Sequence, residues 1–183
     1  MSLLFEDESF LTVTTQMWGA MELFEHGQEL EREYVKDMRT TPIDPEFTLE
    51  YFNTLIEEAL EGKKRSVKSL LTQDQLMPGL GNAIAQDILF RSRLHPKYPL
   101  AALSDDQRQA LFRAAIDTVS DISANGGRYD EYDLFGQRGG YVRLMDRNAL
   151  KRPCPTCGGE ISKIQYLGGS CYLCPECQQM PAV

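Results

Sequence analysis

Four of the five cysteines form two Cys-x-x-Cys pairs near the end of the chain, Cys154 with Cys157 and Cys174 with Cys177. Each pair can wrap a turn so that two thiolates reach one ion, and the 16 residues between the pairs can form a hairpin that returns the second pair to the first. Four thiolates in a tetrahedron are the ligand set of a structural Zn²⁺ site. We therefore predict one Zn²⁺ per chain. Because four protein ligands leave no open position, this ion should hold shape rather than take part in chemistry.

The fifth cysteine offers an alternative ligand, since Cys171 lies three residues before Cys174 and makes a further Cys-x-x-Cys pair. We predict that Cys174 and Cys177 are the ligands, because a proline follows the first cysteine in this pair as it does after Cys154. Cys171 is then a residue of the hairpin that does not bind the metal.

A second group of residues is suited to binding an anion. The sequence MPGLGN, residues 77–82, predicts a glycine-rich turn that leads into a helix. Gly81 lacks a Cβ and permits the close approach of a phosphate, and the amides at a helix start can donate to it. Asn82 either caps the helix or hydrogen-bonds a phosphate, and the sequence leaves both open. Lys68, on the preceding short helix, can add a positive charge on the same side.

The charge of the chain is unevenly distributed. The net charge is -8, but residues 1–61 carry 15 acidic and 3 basic residues, whereas residues 62–183 carry 12 acidic and 16 basic ones. Basic residues are densest in residues 63–97. A basic face can bind phosphates even on an acidic protein, although a solvated helix face is the ordinary explanation for such a patch.

Helical periodicity fills the middle of the chain. The predicted helices cover residues 47–60, 66–72, 82–93 and a long stretch from Ser104 to Asn125. Gly62 should close the first of them, and Ser104 with Gln107 resembles a capping box. Residues 128–150 show no clear period and predict a long loop.

The beginning of the chain has a different character. β-Branched and aromatic residues in 3–24 predict two or three strands, which cannot be stable alone. Pro42 and Pro45 then mark a boundary. We predict three parts: residues 1–41 as strands and linker, 42–150 as a helical domain, and 151–183 as a zinc finger.

Several classes of protein are excluded by composition. No run approaches the roughly 20 apolar residues of a membrane span. The first residues lack a basic segment followed by an apolar one, so we expect no signal peptide. Cysteine is absent from residues 1–153, which argues against a disulfide framework. We expect a cytoplasmic monomer, associated with the nucleoid if the source is bacterial.

The run PGLGNAIAQDILFRSRLHP, followed by a long helix and then CPTC-x16-CPEC, resembles the C-terminal half of the formamidopyrimidine-DNA glycosylase and endonuclease VIII family. The resemblance covers about Glu46 to Gln178, and the order of the two motifs is highly specific. It implies a mainly α fold: a helix–two-turn–helix bundle, a zinc-ribbon β-hairpin, and a few N-terminal strands that are the remnant of a β-sandwich.

The resemblance also implies a function, namely the DNA-binding portion of a base-excision glycosylase and AP lyase that acts on oxidised bases. The partner would be damaged double-stranded DNA, and Lys68, Gly81 and Asn82 would contact phosphates beside the lesion. Cys154, Cys157, Cys174 and Cys177 would be the zinc ligands.

Two features depart from the family pattern. The family's nucleophile is an N-terminal proline followed by glutamate, whereas this sequence begins Met1-Ser2-Leu3, so we expect no catalytic residue here and no activity of this chain alone. The family's finger usually carries an arginine at the position of Gly169. The candidates to replace that contact are Lys163 on the finger and Arg143 and Arg147 in the loop before it.

Two other functions are consistent with the same residues. One is a catalytically inert module that binds damaged DNA or another protein, which Gly169 and the acidic first third favour. The other is a zinc-ribbon scaffold that binds no nucleic acid.

Overall fold

The computed structural model describes residues 1–15, 20–36 and 38–181, which fall into two compact units divided between Met38 and Arg39. The first unit contains two short antiparallel strands, β1 (Ser2–Leu4) and β2 (Phe10–Thr12), with Leu3 opposite Leu11. A 3-10 turn at Gln28–Glu31 and the short helix α1 (Glu33–Lys36) follow. The two strands confirm the first part of the strand region predicted over residues 3–24. Residues 13–15 and 20–24 form no strand, and residues 16–19 lie outside the described residues.

The second unit contains the helices and the finger. Its elements in chain order are α2 (Leu49–Leu60), α3 (Val67–Thr72), α4 (Asn82–Arg91), α5 (Asp105–Ala124), β3 (Ser162–Tyr166) and β4 (Gly169–Leu173), with 3-10 turns at Leu100–Ala102 and Ala149–Lys151. The fold is therefore mainly α with few strands, as predicted. Among the described residues, no helix combines the length and the apolar composition that a membrane crossing requires.

Helix starts follow the local capping chemistry. Thr48 caps α2 through a bond from the Tyr51 amide, and Ser66 caps α3 in a reciprocal arrangement with Ser69. The predicted capping box of α5 is present, because Gln107 N donates to Ser104 Oγ at 3.2 Å and Gln107 Oε1 accepts from Ser104 N at 3.0 Å. Such side chains satisfy amides that have no partner within the helix.

One apolar core holds the four longer elements together. Fully buried side chains from α2, α3, α4 and α5 meet in it, among them Phe52, Leu55, Leu70, Ile88 and Leu111. Burying large aliphatic and aromatic groups of this kind stabilises a fold by roughly 1.5–3 kcal/mol each. The core fixes the start of α4 relative to α3.

A second, smaller core attaches the finger to α4. Phe90 from the last turn of α4 packs with Met145, Ile161 and the ligand cysteines Cys154 and Cys174. The hairpin of β3 and β4 is antiparallel with Ile164 opposite Cys171, and Leu167-Gly168 forms its two-residue turn with positive φ at both positions. Helices and finger therefore belong to one compact unit.

Candidate metal centre and nucleic-acid interface

The four predicted ligands come together in the finger. Cys154 Sγ lies 3.9 Å from Cys177 Sγ, Cys157 Sγ lies 3.4 Å from Cys174 Sγ, and all four sulfur atoms lie within 4.8 Å of one another. A tetrahedral zinc site with Zn–S bonds of about 2.3 Å has sulfur–sulfur edges of about 3.8 Å. The donor set and its spacing therefore fit a four-thiolate Zn²⁺ site.

The two knuckles are built alike. Gly158 N donates to Cys154 O at 2.9 Å, and Gln178 N donates to Cys174 O at 2.9 Å, so that each first cysteine accepts a bond from the amide four residues later. This bond closes the turn that directs both thiols of a pair to the same point.

Backbone amides favour the thiolate form of Cys154, whereas burial and the neighbouring thiols raise the pKa of Cys174 and of Cys177. Burial raises the pKa of the Cys154 thiol, but N–H groups of Cys157 and Thr156 more than offset this and lower it to about 7. Gly159 N points at Cys157 Sγ, 3.4 Å away. Amides that donate to sulfur stabilise the charged form.

Cys171 lies apart from this cluster. It is fully buried in β4 and is not one of the cysteines whose sulfur atoms meet in the described structure. Its place on the hairpin is the one predicted for a cysteine that does not bind the metal.

Two glutamines fix the finger to α4 and to the segment that follows it. Gln178, which is 1% exposed, accepts from Cys174 N at 3.0 Å and donates through Nε2 to Leu94 O at 2.9 Å. Gln86 on α4 accepts from Tyr172 N in β4 at 2.8 Å. A buried amide that is satisfied at both ends gives a fixed geometry, because breaking either bond leaves a buried polar group without a partner.

Lys68 occupies an unexpected environment. Lys68 is only 1% exposed, and its Nζ donates to Tyr166 O, at the end of β3, at 2.6 Å. The same ammonium lies 5.9 Å from the centre of the Tyr166 ring. Lys68 therefore supports the hairpin turn, and its position differs from that of a solvent-exposed phosphate ligand.

Asn82 is exposed and is held by the other strand of the hairpin. Its Nδ2 donates to Ser170 O at 3.2 Å, which leaves Oδ1 and the second amide hydrogen available. The helix cap is Gly81 and not Asn82, and no side chain caps α4. The interpretation of Asn82 as the N-cap is therefore wrong, because Asn82 is already the first residue of the helix; its side chain donates to the finger.

The exposed start of α4 keeps the features expected of an anion site. Gly81 is exposed, and the first amides of the helix point beyond its end because no earlier carbonyl can accept from them. Asn82 and Gly169 are neighbours here, since a Cβ on Gly169 would lie 3.2 Å from Asn82 Nδ2.

The three residues proposed to replace the finger arginine have different surroundings. Lys163 is exposed on β3, on the face of the strand opposite to that of Tyr166. Arg143 donates to Asp130 at 2.8 Å and lies 5.8 Å from the Tyr129 ring centre, so its side chain is engaged within the loop. Arg147 is exposed.

Sequence reasoning missed a buried carboxylate on α4. Asp87 is fully buried and accepts from Leu144 N, Met145 N and Tyr141 Oη at 2.8–2.9 Å. Burial raises the pKa of Asp87, while these three donors and the charge of Arg143 act in the opposite direction. The only signal in the sequence was a charged residue on the apolar face of a helix, and its partners lie more than 50 residues away.

A second carboxylate, Asp146, fixes the loop of residues 128–150 in a similar way. Asp146 accepts from Tyr129 Oη at 2.9 Å, and Tyr129 N donates to Tyr141 O at 2.8 Å. Beyond this stem the loop carries Leu134 and Phe135, which are 89% and 86% exposed.

The sequence of this chain is similar to that of known DNA glycosylases. Residues 40–129 match the formamidopyrimidine-DNA glycosylase H2TH domain. The formamidopyrimidine-DNA glycosylase of Bacillus cereus is 30% identical over 164 residues, which are 88% of this chain and 58% of that protein. The enzyme of the same name from Acaryochloris marina is 37% identical over 140 residues, 75% of this chain and 48% of that protein.

Solved structures share the fold. The MutM (Fpg) protein from Thermus thermophilus superposes with a TM-score of 0.72 at 26% identity, over 85% of this chain and 59% of that one. The Lactococcus lactis Fpg in complex with an abasic site containing DNA gives a TM-score of 0.70 at 24% identity, over 83% of this chain and 55% of that one. The chain thus spans between about half and three fifths of the length of these relatives.

Proposed function

This chain belongs to the formamidopyrimidine-DNA glycosylase and endonuclease VIII family, and we propose that its helices and finger form the DNA-binding portion of a base-excision DNA glycosylase and AP lyase. The partner is damaged double-stranded DNA, and the lesion class is an oxidised base. We assign DNA binding to the second unit and assign no catalytic residue within residues 1–183.

The observation that carries this proposal is the joint between Asn82 and the finger. Asn82 stands exposed at the start of α4 while its amide is held by Ser170 O. The side chain of Asn82 is already fixed and lies beside helix amides that can donate. It can therefore donate to a DNA phosphate without first losing side-chain freedom. Gly81 next to it leaves room for the phosphate oxygens.

Lys68 contributes to the same grip from beneath the hairpin. Its ammonium holds Tyr166 O and so fixes the turn that lies against Asn82. Its charge also adds to the positive potential of this face, whereas its burial disfavours direct contact with a phosphate. Lys163 supplies an exposed charge on the finger itself.

Zn²⁺ is the metal we assign to the four cysteines. It would hold Cys154, Cys157, Cys174 and Cys177 in the spacing that the structure shows, and so keep the hairpin rigid. When bound it supplies shape and stability, and the residues that face DNA are those of the hairpin and of α4.

A direct binding measurement tests the proposal. The parent chain should bind a fluorescent duplex with a dissociation constant in the non-specific range of roughly 10⁻⁴–10⁻⁶ M at physiological salt, or more tightly when the duplex contains an abasic-site analogue. An absence of binding at low salt would remove DNA as the partner.

A second candidate is a catalytically inert module that binds damaged DNA or another protein. The observation in its favour is Gly169, which faces Asn82 without a side chain that could reach a phosphate. Preferential binding of a duplex with an abasic-site analogue, without strand cleavage at a natural abasic site, is what an inert binder of damaged DNA predicts. Absence of DNA binding would favour the protein-interaction module.

A further inference from the structure

A basic pocket lies on the side of the hairpin turn that Asn82 does not contact. The pocket has a volume of about 400 Å³ and is bounded by the α2–α3 connection, α3 and the end of β3. Its lining residues are Lys63, Lys64, Arg65, Ser66, Ser69, Gln73, Tyr166 and Leu167.

Positive charge dominates this pocket. Three consecutive cations, Lys63, Lys64 and Arg65, form one side. Lys97 does not line the pocket, but its Nζ lies 5.4 Å from the centre of the ring of Tyr166, which does. Lys68 lies under the same ring, so five cations surround one turn of the hairpin.

Acidic residues neutralise only part of this charge. Asp74 is paired with Arg65 and lies 3.8 Å from Lys63, and Glu61 at the end of α2 is the other carboxylate nearby in the sequence. Lys64 and Lys97 are both exposed, and neither has an ion pair among those found in the described residues. These two side chains are therefore free to meet an external anion.

The backbone that carries the cations is fixed rather than loose. Leu100 N donates to Arg65 O and Val67 N donates to Tyr98 O, both at 2.9 Å, so the segment before α3 pairs with the segment that contains Lys97. Arg65 also donates to Gln73 at 3.1 Å. A preformed arrangement of cations loses less entropy when it binds an anion than a flexible one does.

We propose that this pocket binds a second phosphate of the DNA backbone, separate from the phosphate at Asn82, through Lys64 and Lys97. The inference rests on the proposed function, because the charge complementarity it invokes is that of a nucleic-acid backbone. It adds a second contact with DNA on the other side of the finger turn, so that the hairpin lies between two phosphate positions.

The separation of the two sites follows from the width of the hairpin. Asn82 contacts the β4 edge, whereas Tyr166 and Leu167 close the pocket at the end of β3. One strand spacing of about 5 Å plus the reach of side chains on both sides gives roughly 10–15 Å. Because this separation exceeds the distance between adjacent phosphates of one strand, the two sites would hold phosphates that are not adjacent.

The experiment combines protein variants with neutralised DNA phosphates. Affinities of the parent chain, Lys64→Ala, Lys97→Ala and Asn82→Ala are measured by fluorescence anisotropy over a salt series, on duplexes with one methylphosphonate at successive positions. Arg113→Ala is the matched control, because it removes one exposed charge from α5 and lies outside the pocket. Circular dichroism of each variant confirms that the exposed lysines can be replaced without loss of fold.

The inference predicts that each lysine variant binds unmodified duplex roughly three- to tenfold more weakly and lowers the salt slope by about one, since one counterion-releasing contact is lost. On a duplex with the methylphosphonate at the second site, Lys64→Ala and Lys97→Ala should bind as tightly as the parent chain does. On a duplex with the methylphosphonate at a different position, Asn82→Ala should bind as tightly as the parent chain does. Lysine variants that behave like Arg113→Ala while Asn82→Ala is weakened would overturn the second site and leave the first. A shared methylphosphonate position for all three would also overturn it, and failure of the parent chain to bind duplex would overturn both proposals.

Discussion

Gly169 of the finger and Asn82 of α4 face each other so closely that a Cβ on Gly169 would lie 3.2 Å from Nδ2, 3.3 Å from Cγ and 3.4 Å from Oδ1 of Asn82. The neighbouring residue Ser170 accepts the hydrogen bond from that amide. The finger turn is thus seated on the start of α4, and the identity of residue 169 decides how closely.

Gly169→Ala is expected to displace the Asn82 amide by a few tenths of an ångström and to weaken its bond to Ser170. The loss of such a bond costs about 0.5–1.5 kcal/mol of the free energy of unfolding. Urea unfolding measures this change, and a variant as stable as the parent chain would show that the contact contributes nothing.

Gly169→Arg introduces the same Cβ together with a guanidinium group. If the finger turn faces DNA as proposed, this variant should bind duplex more tightly than Gly169→Ala, with a salt slope steeper by about one. Equal affinities for the two variants would mean that the turn points away from DNA.

Lys68→Met tests whether this lysine acts through the hairpin. The substitution keeps an unbranched side chain but leaves Tyr166 O without its charged donor, so it should destabilise the protein by about 1–3 kcal/mol. DNA affinity should fall through loss of a fixed turn, with the salt slope nearly unchanged. A slope lower by one full unit, with stability preserved, would instead identify Lys68 as a direct phosphate ligand.

Much of this architecture could be predicted from local signals. The capping box of Ser104 and Gln107, the starts of α3 and α4, and the metal-compatible cluster of four cysteines all follow from residue types at short spacings. The role of Lys68 could not, because its acceptor lies 98 residues later in the chain. A lysine between apolar residues on a short helix gives no sign of which distant carbonyl it will meet.

The same limitation applies to the hydrogen bond between Asn82 and the finger. Asparagine at a helix start ordinarily caps it. Here Gly81, in an extended conformation, occupies the cap position and Asn82 is the first helical residue, and its Nδ2 donates to Ser170 O, 88 residues away. The local sequence therefore predicts the start of the helix, but not the distant partner of this side chain.

Metal content should separate the fifth cysteine from the four ligands. The parent chain and Cys171→Ala should each contain one zinc per chain by elemental analysis, whereas Cys174→Ala should lose the metal and the ordered finger, because binding and folding of such small units are coupled. Loss of zinc in Cys171→Ala together with retention in Cys177→Ala would contradict the assigned ligands.

The stability of the second unit should depend on the protonation of His95. Its Nδ1 accepts from Lys97 N at 3.0 Å, which requires the neutral ring, and burial and the charge of Lys97 lower the pKa of His95. Between that lowered pKa and the ordinary value of 6.5, the unfolded chain binds more protons than the folded one, so stability rises with pH through this window and is lost on acidification.

The matched variant for this effect is His95→Asn, whose side-chain oxygen can accept the same amide without titrating. Urea midpoints at pH 5 and pH 7 and constant ionic strength should differ less for His95→Asn than for the parent chain. An identical pH dependence would show that other groups are responsible.

We propose that the start of α4 and the finger turn together hold a DNA phosphate. The affinity of Asn82→Ala for a duplex with an abasic-site analogue tests this proposal. Because Asn82 is exposed and neutral, the variant should fold, bind roughly five- to tenfold more weakly than the parent chain, and keep nearly the same salt slope, as expected for the loss of one hydrogen bond worth about 1 kcal/mol or slightly more. If Asn82→Ala binds that duplex as tightly as the parent chain, the joint between α4 and the finger is only structural, and the proposed grip is contradicted.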